Sequence, residues 1–348
     1  MTIEIKAVTA EDDNRWDDFV FKHPGGSIYH HSTWRQVLQL TYGYQPLYLV
    51  LQNGSGGDFH GLYPFMLVKS RLTGDRLVSL PFSSFCAPLV ADPTVAEMVH
   101  FSLARYPRID YLEMKLCDGA GNAPDFLEKH SSYVTHLLDL SVGESALLKS
   151  FHPSSVRQRI IGAAKNQLTL RMGQSEDDLK NFFKLHTAVR KKHGLPPHPY
   201  QFFFNMWKLM SPKKMLLMPF VEYRGKMICG AIVLKYKETV SFEYSASDEE
   251  YLSLSGNQML TWEVIRMACS EGLTCFDFGR SSLDNPSLIA YKDRWATKRC
   301  ALNYYYYPKA RAIGVEGSLG RQLLSRANRM LPDRLLQLEG KYLYRHLG

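Results

Sequence analysis

The segment Cys275–Cys300, CFDFGRSSLDNPSLIAYKDRWATKRC, sets a β-like run against a glycine turn, two serines and a basic, aromatic stretch. Alternation predicts a strand with Phe276, Phe278 and Arg280 on one face and Asp277 on the other. Arg280 then stands at the carboxyl end of a strand, where open α/β sheets gather ligands. Its guanidinium can grip phosphate or carboxylate with two parallel hydrogen bonds, or pair internally with Glu243 or Asp277. Ser281 follows as a hydroxyl at the same edge. Lys292 comes next in YKDRW, between Tyr291 and Trp295. An ammonium aimed into a cleft there would stabilise the negative charge of acyl transfer.

Outward from this segment, the chain repeats one grammar. Strands are predicted over 214–223 and 226–236 around the turn Arg224-Gly225-Lys226, then over 238–246, followed by a helix over 257–271 and the strand ending at Arg280. The first half offers strands over 46–53 and 60–70 around NGSGGD, then 75–82, a helix within 94–106 and a strand over 109–116. Matching Gly61 to Gly230, Val78 to Val240 or Ser241, and Tyr111 to Cys275 gives offsets of roughly 160 to 170 residues, which marks an internal duplication. The predicted fold class is α/β with mixed sheets, in two tandem domains over 1–145 and 146–308. Helices are also expected near 10–22, over Ser32–Thr41, from a serine cap at SSVRQ, and over 175–194 behind the capping box Ser175 to Asp178. LPPHPYQFFFNMWKLM reads as a loop leading into a core-facing helix, and NYYYY as a core strand.

The remaining residues, 309–348, alternate leucines and arginines around Pro332. Basic amphipathic helices of this kind either lie on an anionic bilayer or pack on their own domain. The chain has 348 residues, 45% hydrophobic and 22% charged, with a net charge of +8, which suits an anionic partner: a phosphate-bearing substrate, nucleic acid or an acidic membrane face. Its six cysteines are scattered without zinc spacing and read as reduced core residues; no metal is expected. No segment approaches the length of a membrane span and the first residues lack a signal-like apolar run, so a cytoplasmic location, with or without peripheral attachment, is expected.

Acyl transfer to an amine needs a held carbonyl, stabilisation of the oxyanion and a neutral nucleophile. Gly256 and Asn257, at the start of the 257–271 helix, offer free N–H groups for a phosphate or carbonyl oxygen. Glu243 and Asp277 are acids inside predicted core strands, costly there unless paired or used. Tyr244 and Trp295 are candidate substrate contacts. Walker loops, G-x-S-x-G and H-E-x-x-H are absent.

The segments HHSTWRQVL, SSVRQRIIGAAKNQ, GNQMLTWEVIRMACSEGLTCFDFGRSSLDN and YKDRWATKRCALNYYYY resemble the FemAB-like branch of the GNAT acyltransferase superfamily, in particular its exosortase- and exopolysaccharide-associated members. The resemblance implies tandem GNAT-like domains. It also implies N-acyl or aminoacyl transfer to an amine of a cell-envelope precursor, peptidoglycan or exopolysaccharide. Lys292 would assist the transferred carbonyl. The residues themselves make Arg280 and Glu243 catalytic candidates, Glu243 as a base, and Ser281 and the first-domain Trp34 candidate substrate contacts. The donor would be aminoacyl-tRNA or acyl-CoA, with no tightly bound cofactor, and the acceptor lipid- or nucleotide-linked. The chain departs from the pattern at Gly256, where the acyl-CoA loop Gln/Arg-x-x-Gly-x-Gly/Ala is missing, and at Trp34-Arg35, where relatives tend to carry lysine. The alternative function is a binding or scaffold protein at an anionic membrane surface.

Overall fold

The computed structural model describes residues 3–54, 56–310 and 319–348. The chain forms two compact units. The first comprises residues 1–133, 300–315 and 342–348; the second comprises 134–299 and 316–341.

In the first unit, β1 (Ile3–Val8) is followed by α1 (Asp13–Lys22) and α2 (Ser32–Tyr42), then β2 (Gln45–Asn53) and β3 (Phe59–Val68). Next come β4 (Arg76–Val78), α3 (Asp92–Arg105), β5 (Tyr111–Cys117) and the start of β6 (Glu128–Asp139). The antiparallel order β1-β2-β3-β4 meets β5 in a parallel pair with three rungs, Arg76 to Tyr111, Leu77 to Leu112 and Val78 to Glu113. The predicted strand over 75–82 stops at Val78 because Leu80 and Phe82 take positive φ, 61° and 62°, and Pro81 between them has no N–H to give to a ladder.

The second unit takes over along β6 and continues with α4 (Glu144–Ser150), α5 (Gln158–Ala163), β7 (Leu168–Met172), α6 (Glu176–Lys192) and α7 (Tyr200–Met210). It goes on through β8 (Leu216–Leu217), β9 (Pro219–Tyr223), β10 (Lys226–Tyr236), β11 (Thr239–Ser247), α8 (Gly256–Ser270), β12 (Cys275–Asp277), β13 (Ser281–Ser282) and α9 (Pro286–Asp293). Its sheet runs from the end of β6 through β12, β11, β10 and β9 to β7. Here too one pair is parallel with three rungs, Thr239 to Cys275, Val240 to Phe276 and Ser241 to Asp277. Arg76 and Thr239, or Tyr111 and Cys275, thus hold the same place in the two units, as the repeat in the sequence implied.

The tyrosine-rich strand β14 (Lys298–Tyr307), expected at the end of the second domain, pairs instead with β5 of the first unit from Leu302 to Tyr307. Tyr304 is buried, and its hydroxyl donates to the Ser84 carbonyl. The segment SSVRQ is capped by His152, whose ring accepts from Ser155, and opens with a π-helical turn before α5. The capping box at Ser175 forms as expected. Two helices, α10 (Leu319–Met330) and α11 (Asp333–Leu347), close the chain on either side of Pro332.

The inner stripe of α6, Leu179, Phe182, Phe183 and His186, packs on α7 and β11. His186 lies among Phe182, Phe203 and Tyr244, and neither of its ring nitrogens has a protein partner. Burial, with Arg190 adding, pushes its pKa down to about 3 from an ordinary 6.5. Below about pH 6.5 the unfolded chain therefore binds a proton that the folded chain refuses, and stability falls as pH drops from there towards 3. Denaturant midpoints at neutral and mildly acid pH check this: in His186→Phe the loss on acidification shrinks, and an undiminished loss assigns the acid sensitivity elsewhere.

Candidate active site

Strand β12 lasts only three residues because Gly279 turns the chain out of the sheet at φ 73°, a conformation that a side chain would strain. Asp277 fixes this turn. Its Oδ1 accepts from the Gly279 N–H at 2.8 Å and from Thr135 Oγ1 of β6 at 2.6 Å. Phe276 and Phe278 remain buried as the alternation required, whereas Arg280 lies beyond the turn and is exposed.

The turn presents two carbonyls to Lys292. From α9, whose first turn is capped by Asn285, the buried ammonium donates to Gly279 O at 2.7 Å and to Arg280 O at 3.3 Å. Two of its three donors are thereby used. Burial lowers the Lys292 pKa to about 8, with Arg280 pressing the same way, while the charges of Asp277 and Glu243 oppose the fall. Burial in turn raises the pKa of the Asp277 carboxyl. Beside them His136 is wholly buried, its Nε2 3.5 Å from Asp293 Oδ1. Burial first, then the Lys292 charge, brings its pKa to about 4, so its ring is neutral near pH 7.

Glu243 sits at a break in register. Phe242 faces Val233 and Tyr244 faces Ile232, which leaves Glu243 as the extra residue of a β-bulge in β11. The bulge falls just past the parallel pair with β12, where the two strands part. The first unit holds a counterpart: beyond its own parallel pair, Lys115 of β5 is buried and donates to Leu80 O at 3.2 Å. The sequence offered YLEMKLC without marking Lys115, because a single lysine in a strand carries no pattern of its own.

A cavity of about 470 Å³ opens at the start of α8. Gly256 is the first helical residue, and Ser255 before it takes φ 61° without a side-chain cap, so the helix begins with free N–H groups. Asn257 lines the cavity, and its Nδ2 donates to Tyr291 Oη. Ser155, Arg159 and Arg294 bring hydroxyl and guanidinium groups to the same space, and Cys229 an apolar wall. A phosphate would meet both helix N–H groups and cations there. Arg159 and Arg294 carried no sequence signal, since an arginine's direction is decided by the fold. Among the described residues no group of three metal-ligating side chains is placed to hold a metal ion.

Of the residues singled out from sequence, the structure brings together Lys292 and Glu243, whose charges act on one another, with Arg280 beside them. Gly256 and Asn257 join the cavity instead. Ser281 is buried next to the turn. Trp295 does not reach a ligand: it is fully buried, edge-on to Phe151 at 5.1 Å and against Phe278, and acts as a wall of the core. Tyr244 is half-buried, beside the rings of Phe202, Phe203, His186 and His198. Trp34 belongs to the first unit, fully buried against Tyr29.

Comparison with known proteins agrees with this architecture. Residues 153–293 match the Acetyltransferase (GNAT) domain family. A UDP-N-acetylmuramoylpentapeptide-lysine N(6)-alanyltransferase of Weissella viridescens is 24% identical over 148 residues, covering 40% of this chain. The match spans 42% of that relative's length, less than half. Among solved structures, FemX superposes with a TM-score of 0.66 at 14% identity, over 87% of this chain and 96% of FemX. L-PGS from Bacillus licheniformis gives 0.55 at 12% identity, over 93% and 100%. A tandem GNAT protein from the clavulanic acid biosynthesis pathway gives 0.52 at 13% identity, over 87% and 98%. With its repeated parallel pair and its bulged β11, the chain shares the fold of FemX and of the tandem GNAT protein, and residues 153–293 resemble a GNAT acetyltransferase domain.

Proposed function

We propose that the protein transfers an acyl or aminoacyl group from an activated donor to an amine of a cell-envelope precursor. The observation that carries this reading is the buried Lys292 ammonium, held by two carbonyls where β11 and β12 part.

In such a transfer the neutral amine adds to the donor carbonyl carbon and the carbonyl oxygen becomes an oxyanion. Collapse breaks the bond to the leaving oxygen of an aminoacyl ester, or to the sulfur of a thioester. The amine loses a proton and the leaving group gains one. The remaining N–H of Lys292 would stabilise the oxyanion, in a site where removal of one such donor costs about 10²–10³-fold in rate. Glu243, the bulged acid whose charge reaches Lys292, would take the amine proton, and the exposed Arg280 would hold an anionic group of the acceptor.

The cavity at Gly256 and Asn257, with Arg159 and Arg294, suits the phosphate-bearing end of the donor. Both an aminoacyl-tRNA end and acyl-CoA present such phosphates. The Weissella relative is named for alanyl transfer to a lysine amine. That supports an aminoacyl donor and a peptide amine on a nucleotide- or lipid-linked precursor, used in the cytoplasm or at the inner membrane face. Purified protein supplied with charged tRNAs or acyl-CoAs and amine-bearing precursors should yield a product heavier by one acyl group, read by mass spectrometry. If no donor on either panel acylates peptide or sugar amines, the transfer reading fails.

Replacement of Lys292 by methionine is expected to lower kcat by about 10²–10³-fold with the fold intact; a rate within a factor of about two of the parent removes Lys292 from the chemistry.

The pH profile gives an independent check. An acceptor amine of ordinary pKa, about 10.4, becomes neutral progressively as pH rises. The ammonium required of Lys292 disappears above about pH 8. The rise of kcat/KM should therefore level off near that value. Asp277→Asn removes a charge that holds the Lys292 pKa up, so the break should move to lower pH; an unmoved break shows that another group titrates.

A further inference from the structure

We propose that the outward faces of α10 and α11 form a docking surface for an anionic lipid bilayer. Each helix is divided into three sectors. The inner sector of α10 is polar and tied down: Ser325 Oγ donates to His193 O at 3.4 Å, and Asn328 Nδ2 to Gly194 O at 3.3 Å and Glu339 Oε1 at 3.1 Å. In α11 the inner sector is Leu336 and Gly340, both buried, and a Cβ at Gly340 would collide with the Pro197 carbonyl. These contacts fix which side of each helix faces the protein.

The outer sector is apolar. On α10, Leu323 and Met330 stand two turns apart at 63% and 86% exposure, and on α11 Leu335 and Leu338 are 50% and 61% exposed. A helix that only covers its own domain turns such residues inward. Flanking this arc lies a third, basic sector: Arg326 and Arg329 on α10, Arg334 and Lys341 on α11, all exposed and spaced to share one side of their helix. Residues 319–348 contain six arginines and lysines against two acids. Neither acid offsets the outer charge, since Asp333 pairs with Lys191 at 2.9 Å and Glu339 is engaged by Asn328.

An apolar arc edged with cations matches the boundary between headgroups and acyl chains of an acidic membrane. A second copy of this chain fits it poorly, because a two-fold pairing brings basic flanks against each other. The surface does not depend on the transfer chemistry and would exist in a protein without activity.

The test is co-sedimentation of the full-length protein with vesicles of phosphatidylglycerol and phosphatidylcholine, against vesicles of phosphatidylcholine alone. Binding is expected to the acidic vesicles, to fall with added salt and to be weak on the neutral ones. The pairs Leu335→Ser with Leu338→Ser, and Arg326→Glu with Arg329→Glu, should each weaken it by at least about tenfold at an unchanged thermal unfolding midpoint. Equal binding to both kinds of vesicle, or variants that bind like the parent, overturns the proposal. So does a concentration-dependent dimer lost in Leu335→Ser/Leu338→Ser without vesicle binding, which assigns the surface to a second copy.

Discussion

A buried ammonium needs acceptors, and in the second unit everything near the site is arranged to supply them to Lys292. Gly279 must turn the backbone so that two successive carbonyls face inward, and Asp277 must hold that turn through its bonds to the Gly279 N–H and Thr135. The parallel pairing of β11 and β12 ends after three rungs for the same reason, since the strand cannot continue through a left-handed glycine. Burial disfavours the charged lysine, and the two carbonyls satisfy two of its N–H groups. Burial brings the Lys292 pKa down to about 8, while the charges of Asp277 and Glu243 oppose the fall.

The duplication explains why such a place exists and also why only one copy is a strong candidate for chemistry. Both units part a three-rung parallel pair and bury a lysine at the opening. In the first unit, Lys115 rises from the strand itself, bonds Leu80 O and lies 3.4 Å from the Glu113 carboxylate, so its charge is balanced locally. In the second unit, the lysine arrives from a separate helix whose preceding residue, Tyr291, lines a cavity at an uncapped helix start. The same backbone opening is thus closed by an ion pair in one unit and left next to ligand-sized space in the other.

How much of this the sequence disclosed can be followed residue by residue. The repeat was legible because hydrophobic alternation and turn residues recur at a near-constant offset, and those signals are local. Lys292, Arg280 and Glu243 stood out because charges in or beside apolar runs demand an explanation, and the structure brings them near one another. Trp295 misled for the converse reason: an aromatic residue beside a candidate lysine reads the same whether it stacks on a ligand or fills a core, and here it fills the core. The tyrosine strand was placed by sequence adjacency with the wrong neighbours, since strand pairing is a long-range choice; it lies beside β5, far away in the chain.

The sequence by itself determined the α/β class, the tandem repeat and the basic charge, which follow from composition and from short local patterns that recur along the chain. Only the tertiary structure decided that Lys292 is desolvated against Gly279 O and Arg280 O, that Arg159 and Arg294 line the cavity at the helix start of Gly256, and that α10 and α11 leave Leu323, Met330, Leu335 and Leu338 exposed. Desolvation and the lining of a cavity are properties of groups distant in sequence, and no local pattern encodes the direction in which a side chain points once the chain has packed.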